Sequence, residues 1–177
     1  MKKVFGLFLA MIIMMVTFLG GCATKENGSK VVDLKEVHAA VKEALGEDYY
    51  PDRELTTEEI MNFTGIKAED METFIAESPM INVSVDTFIA IKAKEGKGDI
   101  IEEGLEKYRK YLIEDSFQYP MNIAKVNSSK IVRHGDYLFF LMLGKYDDRE
   151  EATDEERLEF AKAEIQKVED VINKFFE

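Results

Sequence analysis

The sequence predicts an α+β domain: a two-layer, mainly antiparallel sheet on a β-α-β-β core, partly ferredoxin-like, with helices before it and a long helix closing the chain. Three observations predict it. Apolar residues recur at steps of three and four near both ends of the soluble part. The middle instead holds runs rich in β-branched and aromatic residues, such as Thr87–Ala93 and 137–143. Gly135-Asp136 separates two such runs, the signature of a two-residue hairpin link.

The first element lies outside that domain. Lys2 and Lys3 precede an apolar run from Val4 to Leu19, followed by Leu19-Gly20-Gly21-Cys22. A positive start, an apolar centre and small residues at a cleavage site form the three parts of a secretory signal. Sixteen residues make a helix of about 24 Å, short of a bilayer core of ~30 Å. The tetrad matches a lipobox, in which Leu19, Gly20 and Gly21 are the peptidase recognition residues and Cys22 is the lipid attachment site. Cys22 is the one cysteine among 177 residues, so no internal disulfide framework is available. A diacylglyceryl cysteine supplies two acyl chains, which is what stable anchoring takes. The expected organisation is a signal peptide over 1–21, a lipidated tether over 22–32 and one domain over 33–177, held on the extracytoplasmic face of the membrane.

Within the domain Asp33 is placed to cap a helix whose Leu34, Val37, Val41 and Leu45 share a face, with Gly46 to stop it. Residues 47–56 form a loop around Pro51. Thr56 and Glu59 fit a capping box, and the short helix after them ends at Gly65. A turn follows near 68–71. Residues 74–76 and 81–85 are expected to be extended, with Pro79 between them, and Thr87–Ala93 to form a strand. Gly96 and Gly98 mark a turn, and Asp99 is placed to cap a helix carrying Ile101, Leu105, Tyr108 and Leu112 on one side. Residues 123–134 read as extended. The apolar run 137–143 reads as a central strand covered on both faces. Thr153 and Glu156 open the last helix, with Leu158, Ala161, Ile165, Val168, Ile172 and Phe175 as its stripe.

Composition narrows the function. Acids outnumber bases 35 to 23, and the net charge moves from −12 to −14 when Lys2 and Lys3 leave with the leader. A polyanion lacks the clustered Lys and Arg that phosphate binding requires, so no nucleic-acid partner is expected. Nucleophilic catalysis has little to work with. Only His38 and His134 offer imidazole, and a triad of His134, Asp136 and Ser128 or Ser129 would spend a turn residue. Gly96-Lys97-Gly98 is too short to cradle phosphate. Asp147, Asp148 and Glu151 are weak calcium candidates in an acidic stretch that also suits a helix N-terminus. Glu47, Asp48 and Asp52 are weaker still. No cofactor is expected.

The motifs Val85-Asp86-Thr87-Phe88, Lys92-Ala93-Lys94-Glu95-Gly96-Lys97, Gln118-Tyr119-Pro120 and His134-Gly135-Asp136-Tyr137 lie in one stretch. That stretch resembles a family of lipoproteins of Gram-positive bacteria, domain-of-unknown-function family 4358, over about residues 33–175. The resemblance implies a location and carries no catalytic residues. The expected function is therefore binding or scaffolding at the cell envelope, with the membrane as one partner through the lipid. A solute- or peptide-binding module is the first alternative, marked by a cleft with Tyr49, Tyr50 or Tyr119. An envelope hydrolase is the second. A protein partner would be met by an exposed apolar patch, expected on the last helix.

Overall fold

Five α-helices and five β-strands follow one another along residues 31–81 and 83–177, the part of the chain that the computed structural model describes. They are α1 (Leu34–Leu45), β1 (Arg53–Glu54), α2 (Thr57–Thr64), β2 (Met71–Ser78), β3 (Thr87–Ala93), α3 (Gly98–Glu114), α4 (Pro120–Ser128), β4 (Lys130–His134), β5 (Tyr137–Met142) and α5 (Asp154–Asn173). Capping chemistry sets several of these boundaries. The Asp33 side chain accepts from the Lys35 N–H, and Thr56 and Thr153 form reciprocal boxes with Glu59 and Glu156. Gly65 takes φ 75° and ends α2 in the left-handed region.

The five strands form one sheet in the order β1-β2-β3-β5-β4, every neighbouring pair antiparallel. Because β3 and β4 both oppose β5, they run parallel to each other with β5 between them. That is the split β-α-β of the ferredoxin-like arrangement, as expected for the β3-to-β5 core. The register divides the apolar residues cleanly between two faces. Phe88 opposite Leu141 and Ala90 opposite Phe139 join the cluster under α1 and α5, with Val37, Val41, Ile165 and Val168. Ile89 opposite Phe140 and Ile91 opposite Leu138 join the other cluster, with Ile60, Ile101 and Leu105 from α2 and α3. Each of the larger side chains among them contributes ~1.5–3 kcal/mol over exposure.

The α+β class, the antiparallel sheet and the long closing helix agree with the sequence reading. Helices cover both faces, so the layers number three where two were expected. The all-buried run Tyr137–Met142 is what such a sheet demands of its central strand. Other differences are local. Residues 120–128, read in part as extended, form α4. β1 pairs only two residues and carries no pattern long enough to read. The described residues of 81–86 form a loop with no strand. Asp99 sits in the first turn of α3 and binds Arg133 at 2.7 Å instead of capping. Gly104 explains the close approach of α2 and α3: a Cβ there would lie 2.4 Å from Ile66 Cγ1.

The sheet has two distinct ends. The chain enters at the one formed by the Gly135-Asp136 turn, where Val32 is buried and its N–H donates to the Tyr137 hydroxyl at 3.0 Å. α1 then runs along the sheet to the opposite end, where Lys42 reaches Glu77 at the finish of β2. The seven residues of β3 set the two ends about 20 Å apart.

Candidate binding surface

The far end of the sheet is organised by a helix turned inside out. Pro120 at the first position of α4 has the fixed φ of a helix start and lacks only an N–H that would be unbonded there. Asn122, Lys125 and Ser128, at steps of three, point inward and are buried together with Val126, while Met121 and Ile123 beside them are exposed. An ordinary amphipathic helix does the reverse.

The inward polar stripe meets Asp86, which sits just before β3 and is wholly buried. Lys125 Nζ donates to Asp86 Oδ1 at 2.8 Å, to Oδ2 at 3.0 Å and to the Gly144 carbonyl at 2.6 Å. Asp86 Oδ2 also accepts from Ser84 Oγ at 2.7 Å and from the Tyr146 hydroxyl at 3.0 Å. The ammonium lies 3.4 Å from the Tyr146 ring centroid and 5.4 Å from that of Tyr50. Asn122 Nδ2 donates to the Val83 carbonyl at 2.9 Å, so α4 holds the 79–86 loop directly. Burial pushes the Asp86 carboxyl up and the Lys125 ammonium down, and each opposes the shift of the other by charge attraction. Burial, with Asp86 alongside, also raises the Tyr146 hydroxyl. Gly144 is required at its position: its φ is 104°, and a Cβ would lie 2.6 Å from Glu164 Cβ.

Above this polar floor the surface is apolar. Phe117 is 87% exposed, Met80 and Ile81 are 68%, and Tyr119, Met121 and Val83 are at least half exposed. The segments are physically continuous. Asp52 accepts from the Met80 N–H at 2.7 Å, Val83 is tied to Asn122, and Tyr50 meets Tyr146 edge to face at 5.8 Å. All three prolines of the chain, Pro51, Pro79 and Pro120, stand in the segments that frame this end. Each proline fixes one backbone φ within its segment.

A second polar group lies beneath α1. Glu77 Oε2 accepts from the Tyr49 hydroxyl at 2.9 Å and lies 3.1 Å from His38 Nε2 and 3.4 Å from Lys42 Nζ. His38 stacks on Phe88 with centroids 5.2 Å apart. With Oε2 already shared by three partners, this group ties α1 to β2. Tyr49 is thus drawn inward, away from the surface that Tyr50 and Tyr119 share.

The remaining sequence candidates fall elsewhere. Leu19, Gly20, Gly21 and Cys22 lie outside the described residues. Asp147 is bound by Arg149 through both oxygens, at 2.8 and 2.7 Å, which holds it to about 2, while Asp148 lies 3.9 Å from Lys145. Among the described residues no three His, Cys, Asp or Glu side chains, Glu151 included, are grouped to hold a metal ion. His134 bonds Asn173 at 2.9 Å and stacks on Phe176, whereas Ser128 and Ser129 turn back to carbonyls of α4, so these residues make no triad. Lys97 pairs with Asp70 at 2.9 Å. A shallow depression of about 490 Å³ beside Val31, lined by Lys92, His134, Tyr137 and Phe176, lies at the chain-entry end. The last helix does not carry the apolar patch. Its Ala161, Ile165, Val168 and Ile172 are buried against the sheet, and the patch is on α4 and the 79–83 loop instead. Among the described residues no helix is long and apolar enough to cross a membrane.

Sequence reasoning missed the bond of Lys125 to Asp86 and that of Asn122 to the Val83 carbonyl. The available signal was Tyr119-Pro120 as a helix start, followed by polar residues at 122, 125 and 128 on one helical face. No curated protein and no solved structure matches the chain. One family does, over a narrower stretch than the resemblance suggested, and that stretch includes Asp86, Asn122 and Lys125. The profile described as a domain of unknown function (DUF4358) matches residues 45–143, more than half of the sequence, and the chain belongs to that family.

Proposed function

We propose that this protein is lipid-anchored on the extracytoplasmic face of the membrane and acts by binding another molecule through the surface of α4 and the 79–83 loop. One observation carries the binding half: α4 spends its polar residues inward and leaves Met121 and Ile123 in water, beside Phe117, Tyr119 and Met80. A monomer gains nothing from that arrangement, since apolar side chains stabilise a fold only when removed from water. The anchoring half is supported by the apolar leader and Leu19-Gly20-Gly21-Cys22. A short polar tether from Cys22 reaches the domain at Val32, so the binding surface lies at the end of the sheet away from the attachment point.

Two measurements test the halves separately. Labelled fatty acid is expected to be incorporated by the native chain and not by Cys22→Ser, which is expected to leave the membrane fraction. An intact mass beginning at Met1 with an unmodified thiol refutes the anchor. Amide exchange over 79–84 and 117–123 is expected to be slower in native membranes than in the purified full chain. Equal exchange in the two refutes the binding surface.

A further inference from the structure

We infer that the occupant of the α4 surface is a polypeptide segment whose apolar side chains are flanked by lysine or arginine. This rests on the reading of that surface as a binding face and identifies what it binds. The argument is charge. The four segments that build this end, 46–54, 79–86, 114–123 and 144–148, carry nine acidic residues against two basic ones, Arg53 and Lys145. Neither base is at liberty: Arg53 is held by Glu59 at 2.7 Å, and Lys145 lies 3.9 Å from Asp148. Lys125, which reaches the same end from within α4, is buried on Asp86. Two of the nine acids do not reach the rim, since Asp86 is buried on Lys125 and Asp147 is held by Arg149 with its side chain 6% exposed. The rim presents the others, with Asp115 exposed and the Asp148 side chain 82% exposed beside Lys145. An apolar centre with an acidic rim is complementary to an apolar anchor with a basic rim, and the rim charges would steer the approach.

The same charges disfavour the other occupants. An anionic membrane surface attracts Lys and Arg and repels this rim. The chain also reaches the domain about 20 Å away, at the opposite end of the sheet. A second copy would bring two acidic rims together, between chains that each carry −12 overall. A segment of opposite charge meets neither objection.

A photo-crosslinking phenylalanine analogue at Met121 of the full chain, in intact cells, reads the neighbour directly, with the exposed position Glu103 on α3 as control. The expected adduct forms from position 121 and not from 103. Its partner peptide, sequenced by mass spectrometry, is apolar with net positive charge. Asp115→Lys with Asp148→Lys is expected to lower the yield at least fivefold without changing the melting temperature. An adduct with lipid, or with another copy of the chain, overturns the inference. A polypeptide adduct that is neutral or acidic, or a yield unmoved by charge reversal, overturns it while leaving the binding surface in place. No adduct from position 121 overturns both.

Discussion

Replacing Lys125 by Met keeps the length and much of the apolar stem while deleting the charge. Three donated bonds vanish together, two to Asp86 and one to the Gly144 carbonyl. The carboxylate keeps Ser84 and Tyr146 as donors but loses its counter-charge in a wholly buried position. Breaking one side of a buried pair costs about 3–5 kcal/mol, and a carbonyl left without a partner accounts for about 1–3 kcal/mol within that figure. Against a net stability of about 5–15 kcal/mol the loss is large. For a chain of this size it corresponds to a melting temperature about 6–20 °C lower.

The assay is urea unfolding of the full chain in detergent, read by near- and far-ultraviolet dichroism, for the native chain, Lys125→Met, Asp86→Leu and the double variant. The double variant is expected to recover at least half of the loss, because no charge remains buried and unpaired. The pH dependence supplies a second readout. In Lys125→Met, burial of Asp86 is no longer opposed by the ammonium, so its folded-state pKa moves further above the ordinary ~3.9. Such a group gives its full stability below the unfolded value and loses it as pH rises through the folded one. The deficit of the variant is therefore smaller at pH 5 than at pH 7. A loss below about 1 kcal/mol, or a deficit that grows on acidification, would refute the ion pair as the fastening of α4.

Three further outcomes follow from the same geometry. Glu59 is held down to about 2, first by the Thr56 N–H and then by Arg53, and Glu156 is lowered in the same way by the Thr153 N–H. Both contributions are present above the unfolded carboxylate range and are lost as pH falls through the lowered values. Glu59→Gln with Glu156→Gln should thus flatten the fall in stability between pH 5 and pH 2, measured by thermal melts across that range. Gly144→Ala forces a side chain onto φ 104° and against Glu164, and is expected to cost about 1–3 kcal/mol or more in denaturant unfolding. Met121→Ser with Ile123→Ser should leave stability within about 0.5 kcal/mol, since neither side chain belongs to either core, and a larger drop would mark this face as structural.

The legible parts of the fold are those in which local and tertiary preferences agree. Asp33, Thr56 and Thr153 cap helices because their oxygens meet backbone N–H groups two or three residues on, a bond that needs nothing from the rest of the molecule. The stripes of α1 and α5 face the sheet, and Gly135-Asp136 turns β4 into β5 with His134 opposite Tyr137. The two-layer expectation failed for a related reason. Phe88 and Ile89 serve opposite faces, but a fully apolar strand does not disclose in sequence which helix covers which face.

α4 was illegible because the usual rule runs backwards there. Periodicity locates a helix by assuming that apolar residues turn inward, and between 120 and 128 only Val126 does so fully, while the other buried positions belong to Asn122, Lys125 and Ser128. Lys125 is held inward by Asp86, distant in sequence and just before β3, Asn122 by the Val83 carbonyl, and Ser128 by the Lys125 carbonyl of its own helix. The pair thus fixes which way α4 faces, at a desolvation cost that an apolar interface would avoid. What that cost secures is an apolar outer surface left in water, and this connects the buried Lys125–Asp86 pair with the face proposed to bind.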